Sequence, residues 1–266
     1  LQELAELIEQ LDARESIPQI EVAADDDRIV LVFRHLQVLS ETDLEKLCVY
    51  AQQSGFCVQL QPGGPDSITN LYPQEQSLNL KPVPEEDIRI NFSAIDFVQV
   101  NHDINQQMVA QALKHLDLNR EDRVLDLFCG LGNFTLPMAR RCTSVTGVEG
   151  DLAMVKRAKE NAQANQIENT EYYAADLSLL DMDRPWMKRT FDKILLDPPR
   201  SGAMELVENI KRFKASIIVY ISCQPTSLVR DSKIICDSGY DMTHLGVMDM
   251  FPQTAHVESM AVFKRK

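Results

Sequence analysis

A cysteine closes a strand-like run in the stretch YISCQPTSLVRD, Tyr220 to Asp231. The aromatic and β-branched residues before Cys223 favour a strand. Gln224, Pro225 and the pattern after them favour the start of a helix. A thiol beside a helix N-terminus is expected to have a lowered pKa, and the thiolate is the form that attacks carbon. The plain alternative is that Cys223 is a small buried hydrophobe. Cys129, inside a glycine loop, is a rival nucleophile, but that loop is better suited to holding a ligand. A nucleophile that adds to a ring needs a base to finish the cycle. FPQTAHVESMAVF offers His256 and Glu258, which alternate with Val257 and are expected to share one face of a strand. Burial in so apolar a run would raise the pKa of Glu258 into a useful range. His256 is weighed chiefly as a hydrogen-bonded structural residue.

Four acids fall where strand-like runs end: Asp126, Glu149, Asp176 and Asp197. Asp126 precedes Gly130 and Gly132, which permit a tight turn and close backbone approach. G-x-G alone is weak evidence, and the loop departs from the dinucleotide fingerprint G-x-G-x-x-G. An acid at Asp126 would repel a pyrophosphate and suits a cationic ligand. Glu149 could accept ribose hydroxyls, and Asp176 lies within reach of an adenine amino group. Singly, each acid reads as a solvated side chain or a helix cap. Together, four acids at four successive strand ends resemble the plan of S-adenosylmethionine-dependent methyltransferases. Asp197 also opens DPPR, which resembles the D/N-P-P-Y box of amino-group methyltransferases. Such enzymes need no cysteine, so Cys223 asks for another chemistry. A thiolate that adds to carbon 6 of a uracil makes carbon 5 nucleophilic, and a base must later remove the carbon-5 hydrogen.

These residues need elements to position them. A helix is expected over about His102 to Leu118. RVLDLF is then a strand and Asn133 to Arg141 a helix; SVTGVE is a strand and Asp151 to Asn165 a helix. TEYYAAD and FDKILLD are further strands, followed by a helix over Met204 to Phe213. SIIVYIS is a strand, Thr226 to Ser238 a helix, and two strand-like runs close the chain. The alternation implies an α/β class with a doubly wound, Rossmann-like sheet, in which ligands sit at the carboxyl ends of the strands. The earlier part is a smaller α+β unit. It comprises a helix over Leu1 to Ala13, two strands around the Asp-rich turn of VAADDDRIV, and a helix from the N-cap Ser40 to a C-terminal Gly55. The division is expected as residues 1–96 and 97–266.

With 44% hydrophobic and 25% charged residues, the 266-residue chain can build a sizeable core. No run of about 18 apolar residues is present, so no membrane helix is expected. Six scattered cysteines without a C-x-x-C pair argue against a disulfide framework or a metal site and fit a reducing, cytoplasmic setting. The net charge of −13 is uneven: the first 96 residues carry six basic and eighteen acidic side chains, a net −12, and the remainder is −1. These totals neither demand nor exclude nucleic acid.

In combination, FVQVN, DLFCGLGNFTLPMA, LLDPPRSGA, ISCQPTSLVRD and DMFPQTAHVESM resemble the RNA 5-methyluridine methyltransferases across about Phe97 to Phe263. The ending LGVMDMFPQTAHVESMAVF favours the branch that acts on 23S ribosomal RNA over the transfer-RNA branch. The resemblance implies that Cys223 is the nucleophile and Glu258 the base. It also implies that Gln99, Phe128, Asn133, Glu149, Asp176 and Asp197 line the S-adenosylmethionine pocket, with Asp197 also near the uracil. Ribosomal RNA members carry an amino-terminal RNA-binding TRAM barrel and a cysteine-ligated 4Fe–4S cluster. This chain has neither the barrel nor the C-x5-C-x2-C run, and with Leu1 at its start it is expected to be the central and catalytic parts of a longer protein. The implied partner is 23S ribosomal RNA, handled by a cytoplasmic monomer. An amino-group methyltransferase using DPPR, the transfer-RNA uracil enzyme and a non-enzymatic RNA-binding module remain as alternatives.

Overall fold

In the computed structural model, residues Gln2–Lys266 are described, and Leu1, the first residue of the expected opening helix, lies outside them. The chain forms two units, one of residues 1–80 and 91–98, the other of residues 81–90 and 99–266.

The first unit begins with helix α1 (Gln2–Gln10). Strands β1 (Gln19–Ala24) and β2 (Ile29–Arg34) follow, antiparallel around the expected Asp-rich turn. Helix α2 (Glu41–Ser54) starts on the Ser40 side chain, which accepts from Asp43 N–H, and ends on Gly55 at φ 74°. Strands β3 (Cys57–Gln61) and β4 (Thr69–Tyr72) complete a sheet ordered β1-β2-β3-β4. Leu7, Leu11, Phe33, Leu47 and Val58 form its core. The chain then passes through two short strands, β5 (Leu78–Leu80) and β6 (Ile90–Phe92).

In the second unit, helix α3 (His102–Leu116) precedes β7 (Arg123–Leu127), α4 (Thr135–Ala139), β8 (Ser144–Glu149), α5 (Leu152–Ala164) and β9 (Thr170–Ala174). The chain continues through β10 (Lys193–Leu196), α6 (Met204–Glu208), β11 (Ile217–Ser222), α7 (Pro225–Asp237), β12 (Tyr240–Met248) and β13 (Glu258–Arg265). β10 and β11 are buried along their whole length, as continuous apolar runs in a sheet covered on both faces must be. The sheet order is β12-β13-β11-β10-β7-β8-β9. The five strands from β7 to β11 are parallel, and β13 is antiparallel to both β11 and β12. The order reverses between β7 and β10, the switch point at which such sheets open a crevice.

Some elements are shorter than their sequence pattern. α3 stops at Leu116 because Asp117 turns left-handed, φ 48°, and its N–H caps Leu113 O. The helix expected over Asn133 to Arg141 shrinks to Thr135–Ala139, since Asn133 is drawn into a side-chain pair with Asn105. The helix expected over Met204 to Phe213 divides into α6 and a 3-10 turn, Ile210–Phe213.

Candidate active site

At the end of β7 the backbone turns sharply. Phe128 takes φ 65°, rare for a residue with a Cβ, and its N–H and that of Cys129 both donate to Val148 O, at 2.8 and 3.2 Å. The glycine loop follows and is closed from β8. Glu149 Oε2 accepts from Gly130 N–H at 3.1 Å, and Glu149 Oε1 accepts from Asp151 N–H at 3.0 Å. Each carboxylate oxygen keeps acceptor capacity beyond these bonds. Asp176, two residues past β9, is exposed and accepts from Ser178 N–H at 2.9 Å and Ser178 Oγ at 2.7 Å. Those bonds hold its carboxyl below the ordinary range. Phe128, Glu149 and Asp176 line one cavity of about 640 Å³, completed on the other side by Pro199, Gly202 and Arg230. That volume suits a cofactor-sized ligand.

Asp126 lies in β7, two residues before Phe128, and is fully buried. Its Oδ2 accepts from Thr135 Oγ1 at 2.5 Å, while its Oδ1 has no hydrogen-bond partner. Burial lifts its pKa to about 7, against the Thr135 bond and with help from Glu149. Gln99 Oε1 is another buried oxygen without a partner. The acid-lined cavity, with acceptor capacity left on Glu149 and Asp176, fits a ligand that carries donors and positive charge, as S-adenosylmethionine does. Gln99, Asn133 and Asp197, expected at the cofactor, are not among the residues lining the cavity; the Asn133 amide instead exchanges two hydrogen bonds with Asn105, at 2.9 and 3.1 Å. It thereby ties the glycine loop to α3.

A second cluster forms on the same rim. Ser222 of β11 pairs with Ser259 of β13, so the next step of the register sets Cys223 beside Glu258. Leu196 of β10 pairs with Tyr220 of β11, which brings Asp197, the residue after β10, to the same edge. Glu258 is buried, 4% exposed, and burial lifts its pKa to about 7. Asp197 is lifted to about 7 by burial, then by Glu258 and Asp126. The Cys223 thiol is half-buried, and its pKa is raised: burial acts first, then the charges of Glu258 and Asp197, with Arg200 opposing. The lowered value expected from the helix start is therefore corrected. Two carboxyls and a desolvated strand end outweigh the N-terminus of α7, whose N-cap Gln224 makes no side-chain capping bond. Cys129 is buried, and its thiol lies well above the ordinary range because burial and two carboxylates disfavour the anion. His256 does not share a strand face with Glu258. β13 begins at Glu258, and His256 is exposed in the preceding loop.

Two features of the site were not anticipated. Asp231, fully buried on α7, accepts from Ala203 N–H at 2.7 Å, Tyr220 Oη at 2.6 Å and Arg230 Nε at 2.7 Å. Arg230 also donates to Ser201 O at 2.8 Å. Together they clamp the loop after Asp197 onto α7. Gly202, φ 80°, must be a glycine there: a Cβ would stand 2.5 Å from Arg230 Nη2 and 2.6 Å from Asp231 Oδ2. The second feature is Asn105, the buried partner of Asn133.

Among the described residues no group of three or more His, Cys, Asp or Glu side chains could hold a metal ion, and all six cysteines are free. The residues present do not fit an iron–sulfur cluster. Among the described residues no helix is long and apolar enough to cross a membrane.

Comparison with known proteins gives this arrangement its relatives. The family model described as tRNA (Uracil-5-)-methyltransferase matches residues 71–266. The chain is 51% identical over 264 residues to a Xanthomonas axonopodis pv. citri protein named 23S rRNA (uracil(1939)-C(5))-methyltransferase RlmD, covering 99% of this chain and 59% of that protein. A Hahella chejuensis protein of the same name is 49% identical over 269 residues, covering 99% and 60%. The chain thus spans about three fifths of the length of these relatives. Among solved structures, the Pyrococcus abyssi tRNA (uracil-54, C5)-methyltransferase in complex with S-adenosyl-L-homocysteine superimposes with a TM-score of 0.69. Its identity is 22%, over 89% of this chain and 56% of that one. A putative transferase from Pyrococcus horikoshii gives 0.60 at 17% identity, over 98% of each chain. At those identities the likeness establishes the Rossmann-like fold alone. The match across residues 71–266 and the half-identical relatives place this chain in the tRNA (uracil-5-)-methyltransferase family.

Proposed function

We propose that the chain carries the catalytic part of an S-adenosylmethionine-dependent methyltransferase that modifies carbon 5 of a uridine in 23S ribosomal RNA. The observation that carries this reading is the meeting of Cys223 and Glu258 at the β11–β13 edge, on the same strand-end rim as the acid-lined cavity. A nitrogen methyltransferase has no use for that pair.

When bound, the cofactor supplies an electrophilic methyl group. In the reading proposed, Glu149 holds ribose hydroxyls and Asp176 an adenine amino group, while Asp126 and Gln99 answer its donors and positive charge. Cys223 Sγ gives up its proton and bonds to uracil carbon 6, and the ring electrons move to make carbon 5 nucleophilic. Asp197, with a pKa near 7, faces the thiol and takes its proton, which leaves the Glu258 carboxylate free for the later step. After carbon 5 gains the methyl, Glu258 removes its hydrogen. The electron pair re-forms the carbon 5–carbon 6 double bond and expels the thiolate. The target base must leave its stack to reach this rim.

The ribosomal substrate is favoured over transfer RNA because the half-identical relatives are named for 23S ribosomal RNA, while the named transfer-RNA structure shares only 22% identity. The test is a covalent trap. The chain, S-adenosylmethionine and a 23S hairpin with 5-fluorouridine at the target are mixed and weighed under denaturing conditions. Fluorine cannot leave as a proton, so an adduct mapping to Cys223, and absent from Cys223→Ala, is expected. Methyl transfer to RNA by Cys223→Ala would instead establish the amino-group alternative.

A further inference from the structure

Outside the cofactor cavity, the second unit carries a groove of about 450 Å³ that shares no residue with it. One wall is Val100 to Asp103, leading into α3. The other is Met250, Phe251, Pro252 and Thr254, in the loop between β12 and β13. Of these, Met250 is buried, whereas Val100 stands 73% exposed. The loop is held open by its own bonds. Thr254 N–H and Oγ1 both reach Phe251 O, at 3.2 and 2.8 Å, and His256 N–H donates to Thr254 Oγ1 at 3.2 Å. The His256 ring meets Phe251 edge to face, with centroids 6.1 Å apart and planes at 78°. Such a contact leaves a face of the phenyl ring clear of the imidazole.

We propose that this groove holds the base of a nucleotide neighbouring the target uridine, an inference that rests on the uracil reading above. Three observations select a base. The lining offers an aromatic ring, Phe251, and an aliphatic side chain, Val100, which suit a flat π-face, beside polar groups that suit a base edge. The lining includes no Lys or Arg and does include Asp103, so it repels a phosphate and can accept from a base edge. The loop also leaves β12 at Met248, the register partner of Glu258, and returns directly into Glu258. A base seated here is therefore held one loop away from the reacting pair. Stacking it offsets part of the cost of opening the RNA around the target.

The test is fluorescence anisotropy with the 23S hairpin around uridine 1939, the position in the relatives' name. An abasic residue is walked through the flanking positions. One abasic position is expected to weaken binding about ten-fold, within the range of base stacking on an aromatic side chain. Phe251→Ala is expected to lose the same factor on intact RNA and nothing more on that abasic RNA. Phe251→Trp is expected to restore affinity, and S-adenosylmethionine binding by Phe251→Ala serves as the check on folding. Val100→Asp, on the opposite exposed wall, is expected to weaken binding as well. Less than two-fold change in both wall variants, losses that multiply in the combined experiment, or a hairpin that does not bind would each overturn the proposal. Binding that depends on Phe251 without a Cys223 adduct would retain the groove and discard the uracil chemistry. An adduct with no Phe251 dependence would do the reverse.

Discussion

A thiol proposed as a nucleophile and flanked by two carboxyls faces an electrostatic conflict, because every ionised neighbour holds the proton on sulfur. Cys223 is in that position, with Glu258 and Asp197 both raising its pKa. Replacing Glu258 by Gln removes one of those charges, so alkylation of Cys223 by iodoacetamide should reach half-maximal rate at a lower pH than in the parent. In the mechanism proposed, the same variant lacks the acceptor for the carbon-5 hydrogen. Turnover should fall by about 10²–10⁴ while a covalent RNA adduct accumulates on ordinary uridine, visible by denaturing mass spectrometry. Unchanged turnover would remove Glu258 from the mechanism. Asp126 gives a second expectation. A cationic ligand favours its ionised form, so binding lowers its pKa from about 7 and expels a proton. S-adenosylmethionine affinity should therefore rise with pH up to about 7 and then level off. Calorimetry at pH 6.5 in buffers of different ionisation enthalpy should report the released proton. Asp126→Asn, which keeps the Thr135 contact, should flatten the pH dependence; an unaltered profile would mean that Asp126 does not sense the ligand.

At the scale of elements, strand ends were legible because buried parallel strands are unbroken apolar runs, and the acids of SVTGVE and KILLDPP interrupt them. The thiol's environment was not legible. Cys223 and Glu258 are 35 positions apart, and only the antiparallel register of β11 and β13 makes them neighbours. The Asn105–Asn133 pair is hidden for the same reason, since two amides far apart in sequence carry no local signal. Asp231 did leave one. It falls with Leu228, Ser232 and Ile235 on the buried face of α7, and an acid there needs partners. Those partners hold the loop of Pro199 to Gly202 against the cavity. Asp231→Ala leaves the Tyr220 hydroxyl, the Ala203 N–H and the Arg230 guanidinium without their shared acceptor, so a loss of about 3–5 kcal/mol is expected in chemical denaturation. Gly202→Ala should be destabilised too, because its Cβ has no room. Asp237→Ala, at the exposed end of the same helix, should change stability by less than about 1 kcal/mol. If Asp231→Ala melts like the parent, the clamp is not what fixes the rim.

At the scale of the whole molecule, a net −13 must be reconciled with the polyanionic substrate proposed. The residues from 97 onward are close to neutral, and the candidate base groove has no Lys or Arg in its lining. Few phosphates are then neutralised on binding, and each one adds only about 0.7–0.9 to the slope of log affinity against log salt. The first 96 residues, at −12, act in the opposite sense: they repel the RNA, and added salt screens that repulsion. Both effects flatten the salt dependence. For this chain and a 23S hairpin between 50 and 300 mM salt, the slope should be no steeper than about −3. Neutralising Glu3, Glu6 and Glu9, all exposed along α1, to Gln should tighten binding at 50 mM and make no difference at 300 mM. A slope near −6 would mean that binding runs through a strongly cationic surface. Indifference of the triple variant at low salt would mean that the acidic part of the chain does not sense the RNA.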